Sequence, residues 1–205
     1  MDRKPTIPLI LTLALALGSF LLAEAAPAQD LHPSRRPSPM GMTRTTLDDG
    51  TYVRVVYSRP YQRGRDNIFG TEESEALVPF GKVWRTGANE ATEITVTGDV
   101  TFGGQELGAG TYSLFTTPGA EEWSIHVSSA LGLSGTARYN PETEKLEPGY
   151  MPENDVVTAT AKATTLPEED LVDQLTFSFE EADGGADLVL RWIRTEVRVR
   201  IAPAE

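Results

Sequence analysis

The chain has 205 residues, with 30 acidic and 18 basic side chains and a formal net charge of −12. This length fits one ordinary domain, and the negative charge argues against binding to nucleic acid or to an anionic membrane surface. The absence of cysteine excludes disulfides, thiolate metal sites and lipid attachment at a cysteine.

The first 28 residues have the three parts of an export signal. Charged residues at positions 2–4 precede an apolar run from Ile7 to Ala23, and small residues end at Ala28. We expect cleavage after Ala28, and the two basic and two acidic residues lost with the signal leave the net charge unchanged. The alternative is a retained membrane anchor, but the apolar run is short for a membrane span. The mature chain is therefore expected in the periplasm or outside the cell, without stable membrane insertion.

A short linker is predicted to precede one domain. Residues 29–43 are rich in proline and poor in large apolar side chains, which is typical of a solvated spacer. Residues 44–205 form the predicted domain. From Arg44 onward apolar and polar residues alternate with a period of two, which indicates β-strands. Helical periodicity is nearly absent, and only Pro167–Val172 is expected to form a helical turn.

About nine short strands are predicted. The Gly103-Gly104 pair between two of them favours a hairpin, because both residues tolerate positive φ. Near the C-terminus the inward parity switches between Trp192 and Val197, which predicts a bulge or bend at Ile193–Glu196. The expected fold is an all-β antiparallel sandwich of two sheets with jelly-roll-like topology. The predicted strands are Thr51–Ser58, Lys82–Thr86, Glu93–Thr97, Val100–Phe102, Gln105–Leu107, Thr111–Thr116, Trp123–Val127, Val157–Ala163, Leu175–Phe179 and the bent segment Leu188–Ile201.

Three stretches are similar to one known family. They read VVYSRPYQRGRDNIF (residues 55–69), LVPFGKVWRTGANEATEI (residues 77–94) and GAGTYSLFTTP (residues 108–118). Together they resemble the bacterial family catalogued as domain of unknown function 2911, over residues 44–203. The resemblance implies an exported, β-rich protein and points to no particular activity.

A local reversal of charge marks the first candidate binding segment. Arg54, Arg59, Arg63 and Arg65 occur within residues 51–65 without one acidic residue. Arginine presents a planar fork that suits carboxylate, phosphate or sulfate, so the cluster suggests an anion site. The alternative is that these arginines pair with the surplus acidic residues and stabilise a loop.

A polar turn, residues 84–92, is the second candidate. Asn89 tolerates left-handed backbone geometry, Gly87 permits close approach, and Arg85 is expected to pair with Glu90 across the turn. Such a turn serves either as a structural pin or as a binding or catalytic loop.

His126 is the single histidine of the predicted domain. Its parity is opposite to that of Trp123, Ile125 and Val127, so we expect a solvent-facing strand residue rather than a catalytic one. No catalytic residue, metal site or cofactor is predicted. The long segment between Ser128 and Asp155 lacks strand patterning and is interpreted as disorder, surface decoration or a substrate lid.

The leading hypothesis is an exported, non-catalytic domain that binds a small polar or anionic ligand. One alternative is a cell-envelope hydrolase with Glu90 as general acid or base. Another is a structural or partner-binding sandwich that uses an exposed sheet edge. The predicted ligand-binding residues are Arg59, Arg63, Arg65, Arg85, Asn89 and Glu90.

Overall fold

The computed structural model describes residues 32–204. The predicted signal peptide and the first residues of the linker lie outside this range. Helical structure between residues 32 and 204 is limited to one-turn 3-10 segments at Pro33–Arg35, Pro152–Asn154 and Glu168–Asp170. The sequence predicts only the last of these, so the expectation of at most one helical turn is too low.

Strands dominate the described part of the chain. They are β1 (Met40–Thr46), β2 (Tyr52–Ser58), β3 (Phe69–Gly70), β4 (Val78–Pro79), β5 (Thr92–Val96), β6 (Val100–Phe102), β7 (Gln105–Leu107), β8 (Gly110–Thr117), β9 (Glu122–Ser128), β10 (Ala137–Asn140), β11 (Lys145–Pro148), β12 (Asp155–Thr165), β13 (Val172–Ala182), β14 (Gly185–Ile193) and β15 (Thr195–Pro203).

One antiparallel sheet follows the strand order β1-β2-β5-β8-β9-β12-β15-β14-β13, and the β6–β7 hairpin joins it through β15. The sheet curls until β13 approaches β1, so it is nearly closed into a barrel. β12 connects the two halves, since its first part pairs with β9 and residues 163–165 pair with β15. The all-β antiparallel class is confirmed. The two-sheet sandwich is not, because the long, twisted strands join into one continuous sheet.

The side chains of Tyr57 and Arg59 connect the end of β2 to β13 where the sheet nearly closes. The Tyr57 hydroxyl accepts a hydrogen bond from the Phe177 N–H at 2.9 Å and lies 3.4 Å from the Phe177 carbonyl. Arg59 donates to the Leu175 carbonyl at 3.2 Å and to the Thr176 hydroxyl at 3.1 Å. These bonds satisfy polar groups along β13 that no neighbouring strand reaches. Burial raises the pKa of Tyr57.

Aromatic side chains fill the inside of the curled sheet. Trp123 and Trp192 are each 1% exposed, and Phe177 is also buried, as the sequence predicts for Trp192 and Phe177. The rings of Trp84 and Trp192 stack with centroids 6.0 Å apart. Phe69 packs edge-on against Trp123 at 4.9 Å. The main core therefore lies between the two halves of one sheet.

The predicted strand Lys82–Thr86 is wrong. Within it only Trp84 pairs, with Thr116, through backbone hydrogen bonds of 2.7 and 2.9 Å. Thr86 and Asn89 then adopt positive φ values of 54° and 58°. These angles take the chain out of the β region, so the segment turns away instead of continuing the ladder.

The parity switch near the C-terminus comes from a reversal of the chain. Of the bulge or bend predicted at Ile193–Glu196, the bulge is wrong: the chain bends there in a tight turn, in which Ile193 has a φ of 51°. Trp192 then pairs with Thr195, and β14 and β15 run antiparallel. A bulge and a tight hairpin produce the same change of parity in the sequence, so alternation alone does not separate them.

The predicted Gly103-Gly104 hairpin and the predicted linker can be compared with the observed strand positions. The Gly103-Gly104 hairpin is confirmed, with φ values of 57° and 81°. A Cβ at Gly103 would lie only 2.5 Å from the Cβ of Ala159, which explains a second need for glycine there. The first strand begins at Met40, within the segment predicted as linker, and runs along the edge of the sheet.

The outer-face loop, Ser129–Asn154, covers the outer side of β8 and β9. Its ends are tied by a 2.9 Å hydrogen bond from the Ser129 N–H to the Asn154 carbonyl. Leu133 of the loop is buried against Phe115, and Tyr150 packs on the same cluster. This long segment, without strand patterning in the sequence, is therefore a folded cover that includes the β10–β11 hairpin.

Candidate functional site

The segment before the polar turn places Arg85 on the outer face of the sheet. Trp84 points inward and pairs with Thr116 of β8. Because successive residues of an extended segment point to opposite faces, Arg85 points to the outer face, the side of β8 that carries Phe115. Phe115 in turn pairs with His126 of β9. Arg85 and His126 therefore lie on the same face of the sheet as Phe115.

Arg85 is a half-buried cation without a carboxylate partner among residues 32–204. Its Nε is buried and donates no hydrogen bond to any acceptor within that range. Burial lowers the pKa of the Arg85 guanidinium, because desolvation disfavours the charged form. Gly135 of the outer-face loop lies above it, where a Cβ would be 3.2 Å from Nη1. The guanidinium is thus partly desolvated beneath the outer-face loop.

Glu90 does not pair with Arg85, and the predicted ion pair across the turn is wrong. Both carboxylate oxygens of Glu90 accept from Nη1 of Arg36, at 2.6 and 2.7 Å. Arg36 lies 54 residues earlier in the chain. Because Arg36 occupies the carboxylate, Glu90 leaves the Arg85 guanidinium unneutralised.

Asn89 shapes the turn and ties it to neighbouring segments. It adopts a φ of 58°, which asparagine tolerates better than most residues. Its side-chain amide donates to the Ser38 carbonyl and to the Ser58 hydroxyl, both at 3.1 Å. Its carbonyl accepts the Gly135 N–H at 3.0 Å, so the turn also holds the outer-face loop.

The three remaining predicted arginines donate mainly to backbone carbonyls. Arg59 binds β13 as described above. Arg63 donates to the Pro37 carbonyl, and Arg65 donates to the Tyr61 carbonyl, each at 2.6 Å. These bonds fix the loop after β2.

The two predicted polar clusters adjoin through residues 36–39. Asn89 and Glu90 contact Ser38 and Arg36, and Arg63 contacts Pro37. The N–H of the residue after β2 also donates to the Pro39 carbonyl at 2.9 Å. The segment before β1 therefore separates the arginine cluster from the polar turn and binds both.

An open groove of about 210 Å³ lies beside the polar turn. Its lining includes Glu90, Ala91 and Glu93. Ala91 also belongs to the small cluster under the outer-face loop. The groove and the small cluster under the outer-face loop therefore share Ala91.

A hydrogen-bonded chain around His126 is the feature that sequence reasoning missed. Nε2 of His126 lies 2.9 Å from the Thr117 hydroxyl, and Nδ1 lies 3.0 Å from Oδ2 of Asp155. The Tyr150 hydroxyl donates to the same Oδ2 at 2.8 Å. Burial, together with the hydrogen bond to Asp155 and its charge, raises the pKa of Tyr150.

The predicted outward direction of His126 is confirmed, but its predicted exposure to solvent is wrong. Its side chain is only 13% exposed, because the outer-face loop covers this side of β9. The sequence contained one indication of this hydrogen-bonded chain. Tyr150 and Asp155 lie five residues apart at the end of the long segment. Parity reveals the face of a strand but not what covers that face.

Buried polar atoms without partners concentrate under the outer-face loop. Residues 32–204 contain five such side-chain atoms, of which three are Arg85 Nε, Ser113 Oγ and Asp155 Oδ1. Ser113 lies two residues from Phe115 and so faces the same side of β8. Its cross-strand partner Ser128 pairs in turn with Asp155. A guanidinium N–H donor, a serine hydroxyl and a carboxylate acceptor on this face therefore have no protein partners among residues 32–204.

The remaining chemical features are limited. Among residues 32–204 no three histidine, aspartate or glutamate side chains are grouped to hold a metal ion. No helix in that part of the chain is long and apolar enough to cross a membrane.

Comparison with known proteins gives one match. The family model described as "Protein of unknown function (DUF2911)" matches residues 38–201. No curated protein and no solved structure matches the chain. The matched range spans most of the sequence, from just before β1 into β15. The chain belongs to the DUF2911 family.

Proposed function

We propose that this chain is an exported, non-catalytic domain that binds a small polar anion, with Arg85 as the central ligand contact. The observation that carries the proposal is the half-buried guanidinium without a carboxylate partner among residues 32–204. A buried charge without a partner lowers stability, and a bound anion would offset that cost.

The other predicted residues take supporting roles in this proposal. Asn89 holds the turn that carries Arg85 and also binds the outer-face loop. Glu90 is occupied by Arg36 and therefore does not neutralise Arg85. Arg59, Arg63 and Arg65 fix the adjoining loop and add to the local positive potential.

Export is part of the same proposal and depends on the N-terminal segment. The charged start, the apolar run and the small residues before position 29 have the order of a cleaved signal. We expect the mature chain in the periplasm or in the medium, where small polar solutes reach it directly.

Thermal melting with a panel of anions tests the binding proposal. Phosphate, sulfate and acetate should raise the melting temperature of the unmodified protein above that in chloride at equal ionic strength. Arg85→Met should abolish this rise, because it keeps an apolar stem and removes the charge. Arg44→Met is the matched control, since Arg44 is exposed on β1. Equal melting in all anions, or an equal loss in the control, would contradict the proposal.

A hydrolase that uses Glu90 is the alternative, and the groove gives it specific support. A second carboxylate, Glu93, lines the groove beside Glu90. Against this alternative, both oxygens of Glu90 already accept from Arg36. Hydrolysis of an ester or glycoside substrate that is lost in Glu90→Gln and retained in Glu106→Gln would favour the enzyme.

A further inference from the structure

The outer face beside Arg85 carries a row of hydrogen-bond acceptors. Cross-strand pairing joins Glu93 on β5 to Ser113 on β8, Ser113 to Ser128 on β9, and Ser128 to Asp155 on β12. Residues paired in this way point to the same side of the sheet. The acceptor row, Glu93-Ser113-Ser128-Asp155, therefore crosses four strands on the face that the outer-face loop adjoins.

Two members of the acceptor row are buried without a complete set of partners. Ser113 is 1% exposed, and its hydroxyl forms no hydrogen bond within residues 32–204. The Asp155 side chain is 9% exposed, and its Oδ1 is likewise unpartnered. Buried polar atoms are nearly always hydrogen-bonded. Asp155 Oδ1 therefore indicates a donor that the described chain does not supply, and the Ser113 hydroxyl, which can accept from the same donor, indicates a further polar partner.

Arg85 lies diagonally next to the acceptor row. The residue before it pairs with Thr116 of β8, and Ser113 lies three residues from Thr116 on that strand. Diagonal neighbours in a sheet lie about 7–8 Å apart. A single small molecule can therefore place an anionic group on Arg85 and a hydrogen-bond donor in the acceptor row.

The mouth of this region is acidic. Glu93 is only half-buried, forms no ion pair among residues 32–204, and lines the groove beside the polar turn. Glu93 attracts an ammonium group, so a ligand that carries a cation beside its anion suits this region better than an anion alone. An ammonium group also brings three donors, which suits a row of oxygen acceptors.

We infer that the ligand is a small zwitterion, with its carboxylate on Arg85 and its ammonium in the acceptor row. This inference rests on the proposed function, because it uses Arg85 as the anion contact. The outer-face loop forms the roof of the site through Gly135 and Tyr150. The chemical class includes amino acids and their short-chain analogues.

Isothermal titration with three chain-matched probes tests the inference. The probes are 4-aminobutanoate, butanoate and butylammonium, at low ionic strength. We expect 4-aminobutanoate to bind at least about tenfold more tightly than either single-charge probe, because two charge-assisted contacts form. Arg85→Met should reduce its affinity to that of butylammonium.

Variants of the acceptor row complete the test. Glu93→Gln and Ser113→Ala should each remove most of the advantage of 4-aminobutanoate over butanoate, while leaving the affinity for butanoate equal or higher. Glu106→Gln is the matched control, since Glu106 is exposed on β7. It should leave all three affinities unchanged.

The outcomes separate the inference from the function on which it rests. If butanoate binds as tightly as 4-aminobutanoate, the zwitterion is wrong and anion binding at Arg85 stands; bound water then satisfies Ser113 and Asp155. Unchanged preference in both acceptor-row variants would also overturn the inference. If no probe binds, the inference and the anion-binding proposal both fail.

Discussion

Arg191 and Arg198 lie on the outer face of the same sheet as Arg85, but they differ from Arg85 in their hydrogen-bond partners. Arg191 and Arg198 each bind both Glu180 and Glu196, with nitrogen–oxygen distances between 2.5 and 2.7 Å. Arg85 has no carboxylate partner among residues 32–204 and is half-buried. The paired arginines hold β13, β14 and β15 together, whereas Arg85 carries an uncompensated desolvation cost.

The burial and the ion-pair partners of an arginine therefore indicate its role better than its position in the sequence does. The protein has ample carboxylates, with 30 acidic residues, to neutralise Arg85. The nearest on the polar turn, Glu90, is taken by Arg36 instead. A closed ion-pair network is expected to contribute stability, and an unpaired buried cation is expected to contribute binding.

Substitutions in the core inside the curled sheet are expected to change the free energy of unfolding most. Trp192 is 1% exposed and stacks on Trp84, so Trp192→Ala should lower the free energy of unfolding by about 3–5 kcal/mol. Urea unfolding monitored by far-UV circular dichroism measures this loss. A loss below about 1 kcal/mol would show that the inside of the curled sheet is not the main core.

The ion-pair network should give the next largest effect, and that effect should depend on pH. Hydrogen bonds from Arg198 and Arg191 hold the pKa of Glu196 below its ordinary value of 4.5. Glu196→Gln should therefore cost about 2 kcal/mol at pH 7, because the variant leaves two arginines less well paired.

The sign of the pH dependence follows from the lowered pKa. A carboxylate with a depressed folded-state pKa stabilises the protein above its unfolded pKa and loses that contribution as pH falls through the folded value. The difference between Glu196→Gln and the unmodified protein should be complete above about pH 4.5 and shrink below it. Urea titrations at several pH values, with Glu106→Gln as control, would contradict the network if the difference stayed constant.

The outer-face loop should respond to a smaller change. Tyr150→Phe removes the hydrogen bond to Asp155 and should cost about 1 kcal/mol, since Asp155 keeps its bond to His126. Hydrogen exchange should become faster within the loop and remain unchanged in β13–β15. Tyr139→Phe is the control, because Tyr139 is exposed in the same loop. Faster exchange in both variants would assign the effect to the loop surface rather than to Asp155.

The smallest expected effect is at Arg85 itself. Because burial disfavours its charge and no carboxylate compensates it, Arg85→Met should change the free energy of unfolding by less than about 0.5 kcal/mol, or raise it. Chemical denaturation without added anions measures this change. A loss of about 2 kcal/mol or more would mean that Arg85 is a structural pin like Arg191.

Much of the fold is predictable from the alternation of apolar and polar residues, because a half-buried strand has one apolar and one polar face. The burial of Trp192 follows from this pattern, and the Gly103-Gly104 hairpin follows from the tolerance of glycine for positive φ. The near closure of the sheet does not, because it depends on Tyr57 and Arg59 reaching β13 more than 100 residues later. Local patterning contains no information on contacts at that separation.

The candidate site is less predictable than the fold. Residue type and clustering pointed to Arg85, Asn89 and Glu90, but the partner of Glu90 is an arginine from the predicted linker. The cover over His126 was invisible for a related reason, since its residues lack strand or helix periodicity. Pairing of charges and covering of faces are decided by three-dimensional proximity, which a linear pattern does not specify.

The most direct test observes the arginine side chains individually. Nitrogen–proton correlation spectra of the arginine Nε groups, recorded during a phosphate titration at constant ionic strength, report on Arg85, Arg191 and Arg198 together. If Arg85 binds the anion, its resonance shifts and saturates and its Nε proton exchanges more slowly with water. The resonances of Arg191 and Arg198 stay unchanged. An Arg85 resonance that does not respond, or equal shifts at all three, would contradict anion binding at Arg85.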